Sequence, residues 1–134
     1  MSSALYSRGN AIIPAYGATT LVEKEGYTET LGVSSSNLTA TLSASASVPS
    51  TGVVLEGNAA AGLSSIGILG ALAGPVRLKT SGAIVAGARV QQAADGTIVT
   101  DAGSGARVVI GVALETAASG DLIEVATHAP LTLS

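Results

Sequence analysis

The 134-residue sequence predicts an all-β protein, a small antiparallel β-barrel or sandwich with an extended N-terminal arm. Three observations lead there. Leu38, Ala40, Leu42, Ala44, Ala46 and Val48 fall on one parity and Thr39, Thr41, Ser43, Ser45 and Ser47 on the other, the two-residue period of a strand with one apolar and one hydroxyl face. After Pro75, turn signals recur about every 8 to 12 residues with β-branched runs between them. Pro14, within Ile12-Ile13-Pro14-Ala15, fixes φ and lacks a donor, which suits extended backbone better than a helix interior.

In chain order, residues 1–27 read as the arm. They hold all three tyrosines (Tyr6, Tyr16, Tyr27) and the charged run Glu23-Lys24-Glu25; an ordinary amino-terminal strand is the alternative. On the arm reading, Tyr6, Ile12, Ile13, Pro14 and Tyr16 are the candidate contacts to a neighbouring protomer or a larger partner. A tyrosine supplies a rigid ring with a hydrogen-bonding tip, and an extended segment adds main-chain bonds to a strand edge. Removing residues 2–20 should then leave the domain folded.

Residues 28–134 read as a single β-domain with a charge-poor half, 28–74, and a second half, 75–134. In the first, Pro49-Ser50-Thr51-Gly52 ends the alternating strand, and Val53-Val54-Leu55 begins another before the Gly57-Asn58 turn signal. From Ala59 to Gly74 the alanines accept a helix and the glycines oppose one, so irregular structure or a short helical turn is expected. In the second, Val76 and Leu78 alternate with Arg77 and Lys79, and Ser81-Gly82 turns the chain towards Ile84-Val85. Ala94-Asp95-Gly96-Thr97 carries the Asp-Gly signature of a type I′ hairpin leading into Thr97–Thr100. The Gly103-Ser104-Gly105 loop precedes a strand with Val108, Ile110, Val112 and Leu114 on one face. Ile123 and Val125 then alternate with Leu122 and Glu124 after Ser119-Gly120-Asp121.

The charges exclude some partners. Six Lys/Arg against nine Asp/Glu give a net charge of −3, a poor surface for nucleic acid, which needs clustered basic residues. From Thr30 to Val76 the only ionisable side chain is Glu56, so this stretch is expected to face other protein; the alternative is a surface kept soluble by hydroxyls. The first residues lack a basic region followed by an apolar run, so export on a signal peptide is not expected. The uncharged run between Glu56 and Arg77 is too rich in Gly and Ser for a membrane span.

Chemistry is equally sparse. Zero Cys and one His leave no thiol site and no histidine cage, so no metal and no cofactor are expected. No G-x-S-x-G elbow or phosphate-binding G-x-x-x-x-G-K-[ST] loop occurs, and His128 reads as a surface residue. Glu23, Glu25, Glu29, Asp95 and Asp101 lack calcium-loop spacing and read as solvated faces and turn residues. The prediction is a protein that is not an enzyme.

Gly74-Pro75-Val76-Arg77-Leu78-Lys79, Ala86-Gly87, Gln92-Ala93-Ala94-Asp95-Gly96-Thr97, Val109-Ile110-Gly111-Val112-Ala113-Leu114-Glu115 and Ala118-Ser119-Gly120-Asp121-Leu122-Ile123-Glu124-Val125 form a pattern over residues 74–126. It resembles the tailed-bacteriophage capsid decoration, or cement, proteins. The resemblance implies a virion protein made in the host bacterial cytoplasm that binds the outer surface of the icosahedral head, as trimers, and stabilises contacts between major capsid subunits. The implied partners are the major capsid protein and the chain itself as a homotrimer, with no nucleic acid and no membrane. The alternatives are another phage structural protein, such as a tail or baseplate β-module, or a non-viral binding module.

Overall fold

Between residues 12 and 68 five short strands close on one another: β1 (Ile12–Gly17), β2 (Thr28–Ser34), β3 (Asn37–Leu42), β4 (Gly52–Glu56) and β5 (Leu63–Ile68), in the ring order β1-β3-β2-β4-β5. The structure, a computed structural model, describes residues 12–17, 24–34, 37–56 and 63–134, and every regular element among them is a strand. A ring of five cannot alternate direction at every step, so one pair must run parallel. That pair is β1 and β3, joined at Tyr16↔Thr39 and Gly17↔Ala40. Ala15, Ala40, Val54 and Ile66 fill the interior, with Ile13, Leu31 and Leu42 packed against them. A barrel this narrow has room for few large side chains, which is why two interior positions are alanine.

The remaining strands, β6 (Val76–Lys79), β7 (Arg89–Gln92), β8 (Ile98–Thr100), β9 (Arg107–Ala113) and β10 (Leu122–Leu133), form a sheet in the order β6-β10-β9-β7-β8. It curls until its edges meet, with Thr80 bridging Ile98 and Ser81 N–H donating to Ile98 O at 3.1 Å. Leu78, Ile84, Val90, Ile98, Val108, Ile110, Ile123 and Val125 fill the curl. Burying this aliphatic surface is the main source of stability in a chain without Phe or Trp. Val53, on the outer face of the barrel, and Leu69, just after β5, belong to the same core, so the two halves share one apolar interior.

Main-chain bonds complete the join. Gly26 N–H donates to Val54 O at 2.8 Å while Gly26 O accepts from Lys79 N at 2.8 Å, so one residue links β4 to β6. Gly26 has φ +85°, and a Cβ there would lie 2.5 Å from Leu122 Cδ2 and 3.1 Å from Arg77 O, so glycine is required twice over. Thr28 N–H and Oγ1 both donate to Gly96 O, tying the start of β2 to the β7–β8 hairpin.

The all-β expectation holds, with a closed barrel and a curled sheet rather than a sandwich. Several expectations are corrected in detail. Residues 12–17, assigned to an arm reaching away from the domain, are extended but form a barrel strand, pairing β5 from Ile12↔Gly67 to Tyr16↔Leu63 with Ala15 buried. There the amino-terminal strand is what the structure shows, because Ile13 and Ala15 gain burial that a free arm would forgo. Deleting residues 2–20 would therefore open the barrel. Tyr6 and Glu23 lie outside the described residues.

The strand over 38–48 stops at Leu42 because its later hydroxyls bond locally. Ser45 Oγ accepts from Ser47 N and Val48 N at 3.1 and 3.3 Å, and Ser43 Oγ pairs with Ser50 Oγ. Within 59–74, residues 63–68 are strand, and a turn follows at 69–71. The Asp-Gly hairpin forms with a three-residue loop: Gly96 N–H closes on Ala93 O, Ala93 N–H donates to Thr97 O, and Gly96 takes φ +86°. In β9 the single apolar face breaks after Ile110, which has no partner on β7 because Gly111 pairs Val90 and Val109 pairs Gln91. The bulge flips the parity, so Ala113 enters the core and Leu114 is exposed.

Candidate interaction surface

Alternation along β1 divides the predicted contact residues. Ile12, Pro14 and Tyr16 face outward, while Ile13 turns to the barrel core and is unavailable to a partner. Pro14 is tolerated because β3 pairs β1 only from Tyr16 onward, leaving one side of the strand without a ladder at that point. Directly across from Tyr16 is Leu63 of β5, and the two side chains are 42% and 49% exposed. Ile12, 46% exposed, lies opposite Gly67 on the same face. Ile12, Pro14 and Tyr16 are among the candidates named from the sequence; Leu63 is not, and its place beside Tyr16 is set by long-range register.

Beyond this apolar row the barrel strands carry hydroxyls and one exposed acidic side chain among the described residues, Glu56, which pairs with Ser65 of β5. Thr30 and Thr41 are cross-strand neighbours with hydroxyls 3.3 Å apart, and Thr39 faces Gly32. A second exposed apolar pair, Val85 and Leu114, sits on the curled sheet where the turn at 85–87 meets 113–116 through Gly87 N–H to Ala113 O and Ala86 N–H to Thr116 Oγ1. Between the halves runs an open groove of about 580 Å³ lined by Lys24, Tyr27, Thr41, Leu42, Ser43, Ala44, Ala94 and Asp95. Lys24 Nζ stands 4.8 Å from the Tyr27 ring centre, so the basic end of the groove is already engaged in a cation–π contact.

Asp95 and Asp101 each have structural partners. Burial pushes the Asp95 carboxyl up, but the Thr97 hydroxyl and N–H, with Lys24 nearby, outweigh it and leave the carboxyl below its ordinary range. Asp101 is also held low, first by the Gly103 N–H, against some desolvation, then by Arg107 and Arg89, the latter at 3.6 Å. His128 is exposed, with Nδ1 2.7 Å from the carbonyl oxygen of Ala129. Among the described residues no three His, Asp or Glu side chains gather as a metal site, and no helix is long and apolar enough to cross a membrane. One carboxyl corrects the expectation of solvated faces: Glu29 points into the barrel and is fully buried.

One polar residue, named from the sequence only within the resemblance pattern, fixes the 43–50 loop against β7. Gln92, fully buried on β7, accepts from Ser50 N–H and Oγ at 3.0 and 2.8 Å and donates to Ser45 O and Val48 O at 2.7 and 2.6 Å. All four hydrogen-bonding sites of the amide face the 43–50 loop.

No family model matches the chain, and no curated protein matches it. Among solved structures it is similar to the N base of the head fiber gp8.5 of bacteriophage phi29, with a TM-score of 0.67 at 17% identity over 90% of this chain and 96% of that one. The likeness spans both the barrel and the curled sheet rather than residues 74–126 alone. The chain has the fold of a phage head fiber base.

Proposed function

We propose that this chain is a structural protein of a phage head that stands on the outer capsid surface as a trimer and stabilises contacts between major capsid subunits. The observation that carries the reading is the fold, shared over nearly the whole chain with a head fiber base. The surface supports it. A barrel wall poor in charge, with Glu56 as its one exposed acidic side chain among the described residues and an apolar row at Ile12, Pro14, Tyr16 and Leu63, suits burial against protein, and closed cyclic symmetry lets every copy bury the same patch. Many copies of a modest contact add up through multivalency.

Heads lacking this protein, mixed with purified full-length chain and sedimented, test the contact face. Tyr16→Ser removes an exposed ring from the barrel's outer face and should leave folding intact. A buried ring of this kind contributes about 1.4 kcal/mol or more, so occupancy at half-saturating concentration should require about 10-fold more protein. Unchanged binding by the folded variant would place the contact on another face, with Val85 and Leu114 next to be replaced.

A further inference from the structure

Glu29 is the one charged-type side chain among the described residues turned into the barrel. Its residue is 0% exposed, and neither Oε1 nor Oε2 has a hydrogen-bond partner. Opposite it stand Leu42 on β3 and Gly52 on β4. Ile13 and Ala15 of β1 and Ile66 of β5 complete the interior. Gly52 makes the space: a Cβ there would lie 2.9 Å from Glu29 Oε1 and would collide with Gly67 O. The nearby charged groups are engaged elsewhere or exposed: Lys24 over Tyr27, Asp95 with Thr97, Glu25 and Glu56 at the surface.

A neutral carboxyl can occupy such a niche at modest cost, but an unpaired carboxylate in an apolar interior cannot stay dry. The seam beside it is short. β2 and β4 pair only at Thr28↔Val53 and Glu29↔Gly52, flanked by Thr51 N–H to Glu29 O and by Val54 N–H to Tyr27 O. We propose that the barrel is a proton-gated element, closed while Glu29 carries its proton and opening at the β2–β4 seam when Glu29 ionises, with the curled sheet remaining intact. Opening admits water to the carboxylate without disturbing the larger core, to which β4 contributes Val53 alone among fully buried side chains.

Burial pushes the Glu29 carboxyl from 4.5 up to about 7. The closed barrel binds this proton more tightly than the open chain does, so the stability it contributes is complete below about pH 4.5 and is lost as pH rises through about 7. Over that span the closed-to-open ratio should fall by up to about 300-fold.

Hydrogen exchange of the full chain, resolved by peptide and corrected for intrinsic rates, tests this between pH 5 and 9. Protection in 28–33 and 51–56 should fall by about 75-fold while 107–113 holds level, and Glu29→Gln should abolish the fall. Should Glu29→Gln not fold, Glu29→Met replaces it, and the wild-type Glu29 carboxyl carbon is titrated by NMR. A midpoint near 7 that coincides with the loss of protection supports the gate. Level protection in the wild type, a parallel loss in a folded variant, or a carboxyl midpoint near 4.5 overturns it.

Discussion

Gly111→Ala is expected to cost about 3 to 5 kcal/mol and to lower the thermal midpoint by more than about 10 °C. The reason is space. At the β9 bulge, β10 crosses so closely that a Cβ on residue 111 would lie 2.5 Å from Ala126 O, 2.9 Å from Val125 Cγ1 and 3.0 Å from Thr127 Cα. Two of the three are main-chain atoms held in the β9–β10 ladder, which pairs Thr127 with Gly111 and Ala126 with Val112. They cannot rotate away as a side chain can. Gly74→Ala is the control: that position has nothing within 4 Å, and its change should stay within about 0.5 kcal/mol. Denaturant unfolding of the two variants measures both, and equal midpoints would show that the bulge relaxes at little cost.

Gln92→Ala should be nearly as damaging, at about 3 to 5 kcal/mol. Four hydrogen bonds disappear together, leaving the buried Ser50 N–H and the part-buried Ser45 O and Val48 O without this partner. The loop at 43–50 has no regular structure of its own, so the amide is what fixes its course against β7. Gln92→Glu is expected to destabilise as well, because a carboxylate oxygen would then stand where Nε2 now donates and would face the carbonyls of Ser45 and Val48. Thermal unfolding checks both variants. A Gln92→Ala loss below about 1 kcal/mol would mean that the loop is held by its own serines.

The fold was legible where its causes are local. Period-2 alternation, Pro14 and the Asp95-Gly96 turn specify extended chain and hairpins, and these formed. Where non-local forces decide, the sequence reads ambiguously. Ile12–Gly17 is equally extended in a free arm and in a barrel, and only the register with Leu63–Gly67 distinguishes them. Ser43 to Ser47 keep the alternation of a strand, but their hydroxyls and Gln92 compete for the same backbone. The β9 bulge flips Val112 and Leu114 outward with no signal beyond Gly111 itself. Glu29 was hidden for the opposite reason: a carboxylate is ordinarily a surface residue, and its burial follows from the inward parity it shares with Leu31. Of the candidate contact residues, Ile13 was grouped with Ile12, Pro14 and Tyr16, and strand alternation turns it to the core instead, whereas the place of Leu63 beside Tyr16 required the structure.

The proposed role joins these features. A closed barrel and a curled sheet are tied together by Gly26, Thr28 and Gln92, and the barrel wall is poor in charge. Electron cryomicroscopy of phage heads assembled with this chain tests that role most directly. Density for the barrel and curled sheet is expected on the outer capsid surface, three copies around each three-fold or quasi-three-fold position, with the Tyr16 and Leu63 face buried. Heads without that density, or the same fold located in the tail or baseplate, would contradict it.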